Sequence, residues 1–426
     1  MSQNREKRSV PRSVATRTAI MLALLLALSP RAEAAQWVAT WGAAPLPPGP
    51  AMGPFPATPS FSNQTIRQVV RVSAGGDRLR VRLTNEYGAR PLTIGDARIA
   101  LIGADGEIDA RTVRPLTFAG RPVAVIPAGA PMLSDAVDLP VRSLSSVSIS
   151  LYLPEDTGAC TCHATGLQTA WVSESGNFVD KAFTAKHTIE SRAFVSGVEV
   201  QTTAPASVIA VLGDSISDGV GSTLGANRRW PDLLAERLAE RHGSSAAWSV
   251  VNLGISGNRL LHDGAGESAL ARFDRDVLSL PGVKYLVVFI GVNDLGVSYG
   301  NPAGPMADIL RSLRPANPVT ADAMIAGYRQ LIERAHGRGL TVLGATIAPY
   351  EGALYYSAQG EAVRQAVNNW IRTGKAFDAV LDFDAAIRDP TRPTRIAEEW
   401  HSGDHLHGSD AGYRVLATSI DLSLFR

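Results

Sequence analysis

The sequence predicts an α/β fold in which a three-layer α/β/α domain with a parallel sheet follows an N-terminal β-sandwich. Residues 36 to about 200 contain runs in which apolar and polar side chains alternate, which is typical of antiparallel strands with one solvated face. From Ala204 onward the apolar runs do not alternate, as expected for parallel strands that are covered on both faces. We therefore expect a signal peptide at 1–34, a jelly-roll-like β-sandwich domain at 35–205 and a second domain at 206–426.

The N-terminal segment has the order of a secretory signal. Basic residues precede the apolar run AIMLALLLAL, Ala19 to Leu28, and the small-x-small sequence Ala32-Glu33-Ala34 follows it. A membrane span needs about 20 apolar residues, and this run is much shorter. We expect cleavage and export, to a secreted or periplasmic location, without stable membrane insertion. An uncleaved anchor is the alternative.

The bulk composition is that of a globular protein, with 45% hydrophobic and 19% charged residues. The formal net charge of +1 indicates no nucleic-acid partner. The two cysteines, Cys160 and Cys162, stand in GACTCH. A local disulfide or two free thiols is the main interpretation, and a metal site that includes His163 is the alternative.

The alternating pattern is clearest in two stretches of the first domain. Leu79, Val81 and Leu83 interleave with arginines, and residues 147–153 alternate in the same way. The row of arginines could bind an acidic polysaccharide, or it could be the solvated face of a strand.

Strand-like and helix-like segments alternate in the second domain, which gives the three-layer arrangement. The apolar runs are Val208–Leu212, Val250–Leu253, Tyr285–Ile290, Thr341–Ala345 and Ala379–Phe383. The helical stretches are Pro231–Arg241, Ala321–Arg338 and Glu361–Arg372.

Four loops with unusual residues follow these strands or lie near the C-terminus, and ligands bind beyond the carboxyl ends of the strands in such a sheet. The loops are Gly213-Asp214-Ser215, NLGISGN (252–258), GVNDLG (291–296) and GDHLHGSDAGY (403–413).

These loops contain the parts of a serine hydrolase. A serine hydroxyl needs an adjacent base, and Ser215 can be the nucleophile with His407 as that base. Asp404, three residues before the histidine, can orient the imidazole. The backbone amides of Ser215 and Gly254 and the side-chain amide of Asn293 can stabilise an oxyanion.

The four loops resemble the four sequence blocks of the SGNH (GDSL-type) hydrolase family, in content and in order, over about residues 206–426. The family name lists serine, glycine, asparagine and histidine, which match Ser215, Gly254, Asn293 and His407 here. The segments ARFDRDV to GVND and GYRQLIERAHGRGL resemble an extracellular bacterial subgroup with an N-terminal β-rich domain.

The resemblance implies a flavodoxin-like catalytic domain and a secreted ester hydrolase that uses an acyl-enzyme and needs no metal or other cofactor. We expect a monomer that acts on a small-molecule or polysaccharide ester, with short acyl esters such as carbohydrate O-acetyl groups favoured. A lipase or aryl esterase with the same mechanism is the alternative. Gly408 departs from the family, which often has proline after the histidine, and predicts a looser turn.

Three other hypotheses compete with this one. GVSYG fits the nucleophile elbow G-x-S-x-G and would make Ser298 the nucleophile, although no helix is expected to follow it promptly. HSGDHLHGSD could be a metal site of a metal-dependent hydrolase; its candidate ligands are His401, Asp404, His405, His407 and Asp410. A non-catalytic glycan-binding protein is the third.

Several further residues have structural interpretations. We expect Asp214 to cap the segment that follows it and Asp294 to brace its own loop. Trp400 and His163 could be structural or could reach the cleft. The tyrosines of APYEGALYY could pack in the core or line the acyl or leaving-group pocket; they are Tyr350, Tyr355 and Tyr356.

Overall fold

The computed structural model describes residues 34–51, 56–103, 106–243, 247–304 and 306–426. The predicted signal peptide lies outside these residues except for its last position. Ala35–Arg426 form one compact unit. In the described part of the chain, every helix is too short or too polar to cross a membrane.

A five-stranded parallel sheet organises the C-terminal half, which confirms the predicted α/β fold. Its strands are β16 Ala206–Gly213, β17 Ala247–Gly254, β18 Val283–Phe289, β19 Thr341–Ala345 and β20 Ala379–Leu381. They lie in the order β17-β16-β18-β19-β20, so the chain runs outward in both directions from the first strand, as in flavodoxin-like folds. All eight residues of β16 are buried, which explains why its sequence does not alternate.

The helices connect these strands and cover the sheet. They are α1 Ser215–Asp218, α2 Trp230–His242, α3 Ala269–Phe273, α4 Val292–Tyr299, α5 Met306–Ser312, α6 Ala321–His336, α7 Ala358–Thr373, α8 Phe383–Ile387 and α9 Asp410–Ser419. The three predicted helices are present, with ends shifted by up to three residues. The side chains of Thr320 and Ser357 cap the first turns of α6 and α7, so those helices begin where a cap is available.

The N-terminal region is β-rich, and most of its strands form two antiparallel sheets. The strands are β1 Gln36–Gly42, β2 Gln64–Arg71, β3 Gly76–Asn85, β4 Leu92–Ile94, β5 Asp96–Leu101, β6 Arg114–Pro115, β7 Ala124–Ile126, β8 Ala130–Leu133, β9 Val137–Val141, β10 Ser146–Leu153, β11 Cys162–His163, β12 Ala170–Ser175, β13 His187–Ile189, β14 Arg192–Ala193 and β15 Val195–Thr202. One sheet has the order β1-β15-β3-β8, with β9 also on β3, and the other has the order β13-β12-β2-β10-β5-β6. A separate jelly-roll-like β-sandwich domain at 35–205 stays a prediction.

Strand β3 shows why the sequence alternates there. Its apolar side chains Leu79, Val81 and Leu83 are fully buried. The arginines that alternate with them each pair with a carboxylate: Arg78 with Asp138, Arg80 with Glu199 and Arg82 with Glu86. The arginine row is therefore an ion-paired strand face.

The β-rich region packs directly against the parallel sheet. The hydroxyls of Ser73 and Ser249 lie 2.9 Å apart in the buried junction. The Ala39 amide donates to the Pro281 carbonyl, and Tyr87 donates its hydroxyl to Glu267. Buried apolar side chains from both regions form a single continuous core. The β-rich region thereby covers the edge strand β17. It also contacts the segment that follows β17, through Tyr87 and Glu267.

Candidate active site

The nucleophile turn begins where β16 ends. Asp214 caps α1 by accepting a hydrogen bond from the Ile216 amide at 3.0 Å, as predicted. Ser215 is the first residue of that short helix, and its own amide has no acceptor among the described residues. Gly219 ends the helix with a left-handed backbone, φ 99°. The turn thus presents the Ser215 hydroxyl and a free N–H at the carboxyl edge of the sheet.

His407 and Asp404 complete a hydrogen-bonded chain to this serine. The His407 Nε2 lies 2.8 Å from the Ser215 Oγ, although the residues are 192 positions apart. The His407 Nδ1 lies 2.6 Å from the Asp404 Oδ2. A carboxylate can only accept, so Nδ1 carries the hydrogen and Nε2 is left to accept the hydroxyl proton. This is the protonation pattern that a general base for serine requires.

The C-terminal loop holds the histidine rigidly. The Asp404 Oδ1 accepts from the amides of Leu406 and His407, at 3.0 and 2.9 Å. The Ser402 amide donates to the His407 carbonyl at 2.8 Å, so the two sides of the loop are also paired through their backbones. Gly408 does not loosen the turn as predicted, because it is bridged to His401 and packs closely against Tyr413.

Asn293 lies at the start of α4, after β18. Its Nδ2 donates to the Asn258 carbonyl at 3.0 Å, and its Oδ1 accepts from the Tyr355 hydroxyl at 3.0 Å. These two bonds fix the orientation of the amide and leave the second hydrogen of Nδ2 available. The role of Tyr355 was ambiguous in the sequence; its hydroxyl is buried and fixes the asparagine.

Gly254 is placed differently from the prediction. Its amide donates to the Asn252 Oδ1 at 3.0 Å and is therefore occupied. A Cβ at this position would lie 2.4 Å from the Asp218 amide nitrogen, so the residue permits close packing of β17 against α1. The assignment of this amide to an oxyanion is therefore wrong.

Gly257 is the glycine of this loop whose amide is free. It is the third residue of the turn from Ile255 to Asn258, which the Asn258 amide closes on the Ile255 carbonyl at 3.0 Å. Its φ of 80° is a backbone conformation that favours glycine. No acceptor for its amide lies among the described residues. The sequence offered this residue as the second glycine of NLGISGN. In the structure it directly precedes Asn258, whose carbonyl accepts from Asn293.

Three carboxyl groups near the serine differ in their titration. Burial raises the pKa of Asp214 to about 7 and that of Asp294 to about 6. Burial acts in the same direction on Asp404, but the hydrogen bond from His407 and the charge of that imidazole outweigh it and hold the pKa below its ordinary value. Asp294 accepts from the amides of Leu260 and Leu261, so it braces the neighbouring loop rather than its own.

A buried arginine that sequence reasoning missed joins the ends of β16 and β17. The Arg272 guanidinium donates to the carbonyls of Gly213 and Leu253 at 3.0 and 2.8 Å, and to the Asn258 Oδ1 at 3.1 Å. Asp276 balances its charge at 3.0 Å. The residue thereby fixes the spacing between the nucleophile turn and the NLGISGN loop.

The competing nucleophile Ser298 lies inside α4, not at a turn between a strand and a helix. Its hydroxyl accepts from the Val319 amide at 3.3 Å. The nucleophile elbow requires the sharp turn, so GVSYG is not one.

The histidine-rich segment separates into distinct groups in the structure. His407 faces Ser215, Asp410 accepts from Thr223, and only His401 and His405 come together with Glu398. The His401 Nδ1 accepts from the Gly403 amide at 2.9 Å, so its hydrogen is on Nε2, which faces Glu398 at 3.2 Å. A histidine that binds a metal donates from its other ring nitrogen, so this tautomer does not fit a ligand.

The remaining candidates are mostly structural. Cys160 and Cys162 form a disulfide, which excludes free thiols and a thiolate metal site there. Tyr350 is fully buried, and Trp400 packs against the core. His163 is buried and binds Asp218, the last residue of α1.

The chain is similar to known hydrolases over its C-terminal half. Residues 211–415 match the GDSL-like Lipase/Acylhydrolase family. No curated protein matches the chain. Among solved structures, a lipase/acylhydrolase from Enterococcus faecalis is 18% identical, with a TM-score of 0.36, and covers 50% of this chain and 92% of its own.

Two acetylxylan esterases are also similar. AlAXEase is 22% identical with a TM-score of 0.37, covering 51% of this chain and 100% of its own. A catalytic mutant of the enzyme from Geobacillus stearothermophilus is 20% identical with a TM-score of 0.38, covering 51% and 92%. Residues 211–415 therefore form a GDSL-like lipase/acylhydrolase domain, and the protein is a carboxylic ester hydrolase.

Proposed function

We propose that the protein is a secreted serine esterase in which Ser215, His407 and Asp404 act as a catalytic triad. The observation that carries this proposal is the hydrogen-bonded chain from Asp404 through His407 to the Ser215 hydroxyl. The three groups come from opposite ends of the C-terminal half, yet they meet at bonding distance with the tautomer that a base needs.

The reaction begins when the Ser215 Oγ attacks the ester carbonyl carbon and His407 Nε2 takes the hydroxyl proton. The C–O double bond becomes a single bond, and its electron pair moves to the oxygen. That oxyanion accepts hydrogen bonds from the amides of Ser215 and Gly257 and from the Asn293 Nδ2. Asp404 stabilises the imidazolium that forms.

The intermediate then collapses. The bond to the alcohol oxygen breaks, and the His407 imidazolium gives its proton to that oxygen, which leaves an acyl group on Ser215. Water next attacks the acyl carbon while His407 takes a proton from it. The same histidine returns the proton to the Ser215 Oγ as the acid departs.

Short acyl esters are the substrates that we propose, with O-acetyl groups of carbohydrates as a subclass. The β-rich region lies against the catalytic half, so it can form a wall for a larger alcohol portion.

A lipase is the second candidate, and two exposed leucines favour it. Leu224 and Leu354 are 45% and 59% exposed. Their loops reach the C-terminal loop, because Thr223 binds Asp410 and Gly352 lies against the His405 ring. Exposed apolar side chains beside a site can contact lipid.

A chain-length series of p-nitrophenyl esters, run beside acetylated xylan with acetate release measured, separates these candidates. The esterase proposal expects the highest kcat/KM for acetate, whereas a lipase would prefer long chains and activate at a lipid surface. Ser215→Ala is expected to abolish turnover and Ser298→Ala to retain it; the reverse would refute the assignment. N-terminal sequencing of the exported protein tests cleavage near residue 34.

A further inference from the structure

Asp218 links the nucleophile helix to the turn that contains Gly257. It is the last residue of α1, and its Oδ2 accepts from the amide and the hydroxyl of Ser256, at 3.1 and 2.8 Å. Ser256 directly precedes Gly257, so its carbonyl belongs to the peptide unit that carries the Gly257 N–H. Any shift of Ser256 therefore moves this proposed oxyanion donor.

His163 holds the other oxygen of that carboxylate from the β-rich region. Its Nε2 lies 2.9 Å from the Asp218 Oδ1, and its Nδ1 lies 3.0 Å from the Ala44 carbonyl. The carbonyl can only accept, so Nδ1 carries a hydrogen. Its Nε2 faces the carboxylate, so both ring nitrogens have a hydrogen-bond partner.

Both side chains of this pair are buried, so solvent does not compete for their contact. The side chains of His163 and Asp218 are 6% and 2% exposed, so water cannot replace either partner. Removal of one partner would leave a buried polar group without its hydrogen bond, which is unfavourable. The contact therefore fixes Asp218 more firmly than an exposed ion pair would.

The backbone of His163 is itself anchored within the β-rich region. The disulfide between Cys160 and Cys162 lies directly before it. Strand β11 pairs with β14, and the Cys162 carbonyl accepts from the Leu46 amide at 2.8 Å. Its position is therefore set by the β-rich region and not by the catalytic half.

We propose that His163 is a positioning residue for ester hydrolysis, which acts through Asp218 and Ser256 on the Gly257 amide. This inference rests on the proposed function. The β-rich region is then a necessary part of the active site, because its His163 fixes the position of one oxyanion donor, the Gly257 amide. Displacement of a group in an active site by about 1 Å can lower the rate about 100-fold.

The test compares variants of this pair with a matched pair elsewhere. His163→Ala and Asp218→Ala break the link. Asp218→Asn keeps it, because the amide nitrogen can donate to a neutral His163 while the amide oxygen still accepts from Ser256. The control is His336→Ala, since His336 and Asp378 are also 2.9 Å apart but 39% and 41% exposed.

We measure kcat and KM for p-nitrophenyl acetate, and the affinity for an alkylboronic acid, below the melting temperature of each variant. The boronic acid adds to the serine oxygen, and one of its hydroxyls takes the oxyanion position. Both alanine variants of the pair are expected to lower kcat by about 10- to 100-fold, with KM changed by less than about threefold. The boronic acid affinity should weaken by a similar factor, and Asp218→Asn should restore most of kcat.

A folded His163→Ala with the wild-type kcat would overturn the inference. It would also be overturned by a loss in kcat without loss of boronic acid affinity, or by an Asp218→Asn as impaired as Asp218→Ala. Loss of activity in His336→Ala would show that the effect is not specific to the site. Ser215→Ala distinguishes this inference from the proposed function: residual turnover in that variant refutes the proposed function itself.

Discussion

Two histidine–carboxylate pairs flank Ser215, and they are built in opposite ways. Asp404 and His407 are three residues apart in one loop, and the Asp404 side chain is 48% exposed. His163 and Asp218 are 55 positions apart, come from different regions and are almost fully buried. The first pair needs only a local turn, whereas the second forms only when the β-rich region packs against the catalytic half. The pair that we propose for catalysis is thus local in the sequence, whereas the pair that we propose for positioning joins distant segments.

Disruption of the Asp404–His407 pair should lower kcat more than the other changes in this comparison. Asp404→Asn should lower kcat about 10⁴-fold, because an amide does not hold the imidazole in the required tautomer. The melting temperature should change little, since the carboxylate is half exposed. Kinetics and thermal unfolding of the same preparation check both parts.

Asp410→Asn is the matched control for that variant, because it lies in the same segment but binds Thr223 and not His407. A decrease of less than about tenfold in Asp404→Asn would remove Asp404 from the triad.

Loss of the Asn293 donor should have the next largest effect. Asn293→Ala is expected to lower kcat by about 10²- to 10³-fold with little change in KM. Tyr355→Phe should cost much less, because it keeps the donor and removes only the hydroxyl that orients it. Steady-state kinetics on p-nitrophenyl acetate measure both, and equal losses would show that packing and not the donor matters.

The sequence allowed us to predict which loops meet at the candidate site. Ser215, Asn293 and His407 follow strands or lie in the last loop, and the carboxyl edge of a parallel sheet brings such loops together. Asp404 was identifiable because it is three residues from the base. The three-layer fold followed from the buried strands, which lack alternation.

The contacts that position the site residues could not be predicted from the sequence. The error at Gly254 arose because the Asn252 side chain occupies that amide, which depends on a rotamer and not on a pattern. The role of His163 stayed open and Arg272 was missed, because each contacts the site across a long sequence separation. Their partners are carbonyls or a carboxylate, which form no sequence motif.

Removal of the disulfide tests how the β-rich region anchors His163. A three-residue loop constrains the unfolded chain little, so the double variant Cys160→Ser, Cys162→Ser should lose about 1.6 kcal/mol of unfolding free energy. The pairing of β11 with β14 remains, so kcat should fall less than in His163→Ala. Denaturant unfolding and kinetics measure the two effects. A kcat as low as that of His163→Ala would make the disulfide, rather than the strand pairing, the anchor.

An effect on stability rather than on turnover is expected from Asp214, on the buried side of Ser215. The pKa of Asp214 is raised by burial from 3.8 to about 7, so the folded state binds its proton where the unfolded state has lost it. The stability that this carboxyl contributes is therefore complete below pH 3.8 and is lost as the pH rises through 7. The unfolding free energy should fall by at most about 1.4 kcal/mol per pH unit in this window. Asp214→Asn keeps the cap to Ile216 and should flatten that part of the profile, as denaturant unfolding from pH 5 to 8 would show. An unchanged slope would mean that Asp214 is already ionised beside Ser215.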